Sequence, residues 1–444
     1  MDQRATKGVA SRFAEYVEHL SEVIGHMDRH GPLASYCTGL LLPGERKSVE
    51  PMAARIAPDE VGAKHQSLHH FVAKAPWDEA ELLSAVRTFV LPKIEKDAPI
   101  RAWIIDDTGI PKKGKHSVGV ARQYCGELGK QDNCQVAVTL SVASDLASLP
   151  VAFRLYLPEP WANDKTRRAK AGIPDGIEFQ TKPHIALDQV RQAIADGVPK
   201  GVALADAGYG NDTAFRSGLT ELGLQYAVGV QGSTTVWASG TQPLPAKTWS
   251  GRGRRTKLLR RDGNVKPVKV SELAKSLARR AWKTVRWREG TKGDLVSRFA
   301  AVRIRPSHRD YWRAEPWPEE WLLIEWPEGE DAPIKYWLST LPAGTPIATL
   351  VDTAKLRWRI ERDFQDLKQE IGLDHYEGRG WRGFHHHAAL SIAAYGFLVA
   401  ERSPIPPSGA LRQALIARAP TPNESYRPRG HAVPKARYQR DAPA

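Results

Sequence analysis

Two short apolar runs, residues 102–107 (AWIIDD) and 202–206 (VALAD), each end in a carboxylate at a turn, and this constrains the fold more than any other feature. Short apolar runs bounded by turn signals read as strands buried on both faces, and such strands need helices to cover them. The turn-rich TGIPKKGK follows the first run and AGYGND is built around the end of the second. Between them, residues 135–143 (QVAVTLSVA) and 150–157 (PVAFRLYL) read as a hairpin. A helix follows with Ile185, Leu187, Val190 and Ile194 on its apolar side, and a helix near 213–222 and a strand at 225–230 complete the run. The order β-β-β-α-β-α-β predicts an α/β core with a mixed sheet and flanking helices.

The flanking segments have other textures. Residues 1–95 are helical in pattern: Phe13, Val17, Leu20 and Ile24 recur at helical spacing, further helices start near Ser48 and cover 65–74, and Trp77-Asp78 opens one that buries Leu82, Leu83, Val86 and Phe89. Small helical clusters often dock a helix in the DNA major groove, so this segment is expected to be a helical DNA-binding domain, a plain packing or dimerisation module being the alternative. The core then spans 96–230, is interrupted by a β-rich insertion at 231–342 with strands at 299–304, 321–326 and 335–338, and resumes at 343–402. Helices are expected at 346–372 and near 385–400. Residues 403–444 read as a Pro/Arg-rich flexible tail.

A formal net charge of +14 suggests a polyanionic partner, and its placement favours nucleic acid over a mere solubility surface. Residues 165–170 (KTRRAK) and 252–269 are dense cationic clusters, the latter offering Arg254, Arg255, Arg260 and Arg261 as DNA contacts, and 279–288 interleaves cations with Trp282 and Trp287. Cations neutralise phosphates and indoles stack on unpaired bases. No apolar run is long enough to span a membrane, and the first residues lack a secretory h-region. Three separated cysteines without a CxxC pair fit a reducing cytosol, so a cytoplasmic, nucleoid-associated protein is expected.

Residues 356–369 (LRWRIERDFQDLKQ) lack Pro and Gly and should be helical. At about 100° per residue, Arg357, Glu361 and Lys368 fall at roughly 0°, 40° and 20°, a single stripe beside the apolar Ile360, Phe364, Leu367 and Ile371. Asp363, Asp366 and Glu370 point roughly the other way. One carboxylate is thus singled out between two cations.

On the strand 102–107, period-2 geometry sends Asp106 and Asp107 to opposite faces, so only one enters a given site. Asp206 sits at the carboxyl edge of the sheet, where ligands of α/β proteins gather, although a single strand-end Asp is more often a turn or N-cap group. One of the Asp pair, Asp206 and Glu361 together supply hard oxygen ligands suited to Mg2+. Two such ions activate an attacking hydroxyl and stabilise the leaving oxygen of a phosphoryl transfer. Arg357 and Lys368 would then hold phosphates alongside.

This order of Asp, Asp and Glu, with R-x3-E-x6-K around the Glu, resembles the DDE transposases of bacterial insertion sequences, in the branch with a Y-x2-R-x3-E-x6-K signature and a β-rich insertion before the Glu helix. Arg357, Glu361 and Lys368 match the last three signature positions, WIIDDTG the first-Asp strand and LADAGYGN the second. Alignment of the Asp-Thr pair selects Asp107 over Asp106. The resemblance covers roughly residues 100–400. It implies an RNase H-like fold and catalysis and metal binding by Asp107, Asp206 and Glu361, with Mg2+ as cofactor and Mn2+ as its substitute. It implies nicking of double-stranded DNA at element ends and strand transfer into target DNA by a homodimer. The alternatives are a catalytically silent DNA-binding derivative and a nuclease that cuts without joining. The signature Tyr, implied to contact a DNA-end phosphate, is Ala354 here. Trp321, Trp326 and Trp337 are candidates for stacking a flipped base, though packing within the insertion is the simpler reading.

Two further signals are set aside. Three consecutive histidines, His385 to His387, cannot converge on one ion on a helix, so a solvated or DNA-facing role is expected. The glycines of AGYGN lack dinucleotide-binding spacing.

Overall fold

A computed structural model describes residues 8–261, 263–290 and 293–402; the tail expected at 403–444 lies outside them. Five helices lead: α1 (Val9–Ser21), α2 (His30–Leu41), α3 (Val49–Ile56), α4 (Val61–Ala73) and α5 (Glu79–Asp97). Ser48 and Asp78 stand at the N-caps of α3 and α5, Asp78 accepting from Ala80 N–H at 2.7 Å. The core follows with β1 (Ala102–Pro111), β2 (Ala121–Cys125), β3 (Lys130–Ala143), β4 (Ser148–Leu155), α6 (Glu159–Ala162), α7 (Lys165–Ala171), α8 (Lys182–Ala195), β5 (Val202–Ala205), α9 (Ala207–Gly210), α10 (Thr213–Glu221) and β6 (Tyr226–Val230). The insertion carries β7 (Thr235–Trp237), β8 (Val268–Lys269), α11 (Val270–Ser276), β9 (Lys283–Gly290), β10 (Gly293–Pro306), β11 (Glu320–Trp326) and β12 (Lys335–Ser339). The chain closes with α12 (Ile347–Lys355), α13 (Trp358–Asp366), a π-helical turn at Leu367–Ile371 and α14 (Trp381–Arg402).

The described strands form one mixed sheet. β3 lies antiparallel to β1 on one side and to β2 and β4 on the other, while β1, β5 and β6 run parallel. This is the mixed α/β sheet with flanking helices expected of an RNase H-like core. Trp103, Ile104 and Ile105 are fully buried, as a central strand covered on both faces requires. The insertion extends this same sheet: β12 pairs antiparallel with β6, and β11 and β10 follow outward. Lys355, at the end of α12, fastens the returning chain to it. Its ammonium bonds both oxygens of buried Glu325, at 2.6 and 2.7 Å, and lies over the rings of Trp287, Phe299 and Trp337.

Sequence periodicity missed α2, which is apolar nearly all round, and β2, a short edge strand with exposed residues. The helix expected across 346–372 is divided. It breaks at Leu356-Arg357, restarts at Trp358 and widens into the π turn, which Gly372 ends in the left-handed conformation. Of the acids opposite Glu361, Asp363 and Asp366 turn inward: Asp363 accepts from Ser148 Oγ at 2.6 Å and Tyr395 Oη at 2.9 Å, and burial raises its pKa to about 6. Among the described residues no helix is long and apolar enough to cross a membrane.

The expectation of a solvated or DNA-facing histidine run is overturned. α14 is buried along almost its whole length, between the sheet and the N-terminal helices, and His385, His386 and His387 are all buried. A helix covered on every side has no polar face for three histidines, so each satisfies its ring against backbone or tyrosine. His385 Nδ1 meets Trp381 C=O while its Nε2 accepts from Leu155 N–H, and His387 lies between Tyr36 Oη and Gly372 C=O. Each of these two rings has one donor and one acceptor role, the pattern of a neutral imidazole. Burial pulls their pKa values down to about 4 from 6.5.

Between pH 6.5 and 4 the unfolded histidines bind protons that the folded ones do not, so stability present above pH 6.5 is lost as pH falls. Asp363 and Asp106, both raised to about 6 by burial, act in the opposite sense, so the test is differential. Between pH 7.5 and 5, His387→Gln should lose about 2 kcal/mol less unfolding free energy than the unsubstituted chain. Equal losses in urea titrations would contradict the neutral, buried ring.

Candidate active site

The site is assembled where β5 ends beside β1, which itself runs on to Pro111 against β3, through residues expected to form a turn. Their parallel register pairs Ile105 with Ala205, so the next residues on the two chains are Asp106 and Asp206. Asp206 closes β5 and caps α9, its Oδ1 accepting from Gly208 N–H at 2.8 Å and Tyr209 N–H at 3.3 Å. The N-cap role that a lone strand-end Asp usually plays is therefore real here.

Glu361 reaches this edge on α13. Arg357, at the N-cap of that helix, bridges two acids: it donates to Glu361 Oε1 at 2.7 Å and to Asp106 Oδ2 at 2.5 Å. Lys368 donates to Gly109 C=O at 2.6 Å and to Glu127 at 2.7 Å. The Arg–Glu–Lys stripe thus lies along β1, with Arg357 over Asp106 and Lys368 over Gly109. Burial disfavours the charge of Arg357, but Asp106, Glu361 and Asp206 outweigh it and raise its pKa. The same burial raises Asp106 to about 6 against the pull of Arg357.

Asp107 points away from that arginine, as alternation along β1 requires. Its Oδ1 accepts from the phenol of Tyr209 and its Oδ2 from Lys182 Nζ at 2.5 Å. Lys182 is the first residue of α8 and lies 5.6 Å from the Tyr156 ring. Glu361 therefore shares Arg357 with Asp106, not with Asp107, which lies on the other face of β1 against Lys182 and Tyr209, while Asp206 sits at the cap of α9. Among the described residues no three His, Cys, Asp or Glu side chains are disposed to hold a metal ion in this arrangement. The donor set itself, all carboxylate oxygen, suits a hard divalent cation.

Sequence reasoning named Asp107, Asp206, Glu361, Arg357 and Lys368 but not Tyr209, Lys182 or the part played by Asp106. The signal for Tyr209 was present in AGYG, whose close glycines imply tight packing of that turn. Lys182 is distant in sequence and carries no local mark. Ala354, in place of the signature Tyr, is buried within α12.

Of the basic residues of the insertion, Arg254, Arg255, Arg260 and Arg261 are all exposed, Arg261 being also tied to buried Asp310 at 2.8 Å and Arg260 bonded to Pro245 C=O at 3.1 Å. The tryptophans are engaged within the insertion: Trp321 Nε1 donates to Pro342 C=O, Trp326 packs edge-on against Trp282 under Arg298, and Trp337 is buried.

Comparison with known proteins bears on the same elements. The family described as DDE superfamily endonuclease matches residues 19–294, more than half the chain, including both strand-end aspartates. A probable transposase for insertion sequence element IS701 from Microchaete diplosiphon is 34% identical over 206 residues, which are 46% of this chain and 50% of that protein. The chain thus matches about half the length of this relative.

Proposed function

The chain belongs to the DDE superfamily of endonucleases, and we propose that it is an insertion-sequence transposase that nicks DNA at element ends and joins the freed ends to target DNA. The observation that carries this reading is the bridge from Glu361 through Arg357 to Asp106, which ties the Glu helix to β1 next to the end of β5 and Asp206.

In this reading Asp107, Asp206 and Glu361 hold divalent metal, Mg2+ with Mn2+ as substitute. When bound, such ions activate the attacking oxygen and stabilise the leaving one in an in-line displacement. Glu361 is 61% exposed at its side chain and open to substrate. Asp206 stays fixed by its cap bonds, and Asp107 is bonded at both oxygens, Oδ1 by Tyr209 and Oδ2 by Lys182. Arg357 and Lys368 would hold DNA phosphates by exchanging present partners for them, Asp106 and Glu361 in the one case and Gly109 C=O and Glu127 in the other. Arg254 and Arg255 contribute non-specific phosphate contacts on the insertion. The substrate is double-stranded DNA, at element ends and at target, bound by a homodimer.

The test uses purified protein, Mg2+ and duplex DNA carrying the sequences that flank its coding region. Nicked ends followed by strand-transfer products are the expected outcome. Nicks without joined products would identify a nuclease, and binding without any nick a silent DNA-binding derivative.

A further inference from the structure

We propose that Tyr209 is a positioning residue that fixes Asp107 against Asp206 for metal binding; the proposal rests on the metal-dependent reading given above. Among the described residues Tyr209 hydrogen-bonds both Asp107 and Asp206. Its phenol donates to Asp107 Oδ1, and its backbone N–H donates to Asp206 Oδ1 at 3.3 Å. Both contacts come from the single short turn α9, so the two carboxylates are referenced to one rigid element rather than to two independent strands.

The turn has the rigidity this needs. The Tyr209 side chain is 3% exposed and packs against Phe215 with ring centroids 5.6 Å apart. The next residue, Gly210, lies so close to β6 that a Cβ there would collide with Gly229 C=O. Lys182, the other partner of Asp107, is a flexible chain about 29% exposed and has no comparable hold on direction. A carboxylate whose one oxygen is fixed by a buried phenol presents its remaining lone pairs in a set direction, the outer-shell role that governs metal affinity elsewhere.

The experiment measures Mn2+ affinity of the full chain without DNA, by paramagnetic resonance of free Mn2+, alongside thermal unfolding. Tyr209→Phe keeps the buried ring and deletes the hydroxyl, and about tenfold weaker Mn2+ binding is expected. Phe215→Leu keeps the hydroxyl but loosens the packing that directs it, and a smaller weakening is expected. Gly176→Ala, at an open position, is the control and should leave the affinity unchanged. Unaltered affinity in Tyr209→Phe, or equal weakening in Gly176→Ala, overturns the proposal. If Tyr209→Phe fails to fold, Phe215→Leu decides: weaker binding in the folded variant supports a hold through Tyr209, and unaltered binding overturns it. Failure of the functional reading looks different: the unsubstituted chain then binds no Mn2+, or Glu361→Gln binds it as tightly.

Discussion

Glu361→Gln should lower Mg2+-dependent nicking on the order of 10³-fold while leaving metal-free DNA binding and thermal stability nearly unchanged. The split follows from where the side chain lies. It is largely exposed and its helix is held by other groups, so removing its charge costs the fold little. Arg357 keeps its second partner, Asp106. A metal ligand contributes several kcal/mol of charge stabilisation at the transition state, which converts to the stated factor. Arg357→Gln is a different experiment, because it strands the buried Asp106 carboxylate and should depress stability as well as activity. Parallel nicking, gel-shift and unfolding measurements separate the two. Full nicking by Glu361→Gln would remove Glu361 from the chemistry.

Gly210→Ala should destabilise the protein by about 3 kcal/mol or more. The added methyl meets the backbone oxygen of Gly229, which cannot rotate away as a side chain would. The closeness is mutual, since a Cβ on Gly229 would come within 2.9 Å of Ala207 N. These glycines let α9 lie directly on β6 and so place Asp206 and Tyr209. Gly176→Ala has open space around it and serves as the control, with an expected change within about 0.5 kcal/mol. A urea midpoint for Gly210→Ala equal to that of the control would show that the turn has slack.

The glycine pair also explains why AGYGN was legible as a turn yet not as a site. Close backbone approach leaves a mark in sequence, but the surface approached, here β6, does not. Asp206 at the end of β5 and the Arg357–Glu361 stripe were readable because each depends on local periodicity, whereas β1 runs past Asp107 to Pro111 because pairing with the distant β3 overrides the turn signal there. The break at Leu356-Arg357 and the π turn were not, because their cause is tertiary: the stripe must track along β1 from Asp106 to Gly109. The histidine run was misread for a related reason. Whether an apolar helix is covered on one face or all round depends on the N-terminal helices, which pack against it from more than 300 residues away in sequence. Alternation along β1 correctly divided Asp106 from Asp107. Which acid meets the arginine required the registry of a distant helix.

The most direct test of the proposed metal centre is anomalous scattering from crystals soaked in Mn2+. A peak bounded by Asp107, Asp206 and Glu361, absent in Glu361→Gln crystals, is the expected result. A peak elsewhere, or none at this edge under conditions that support nicking, would contradict it.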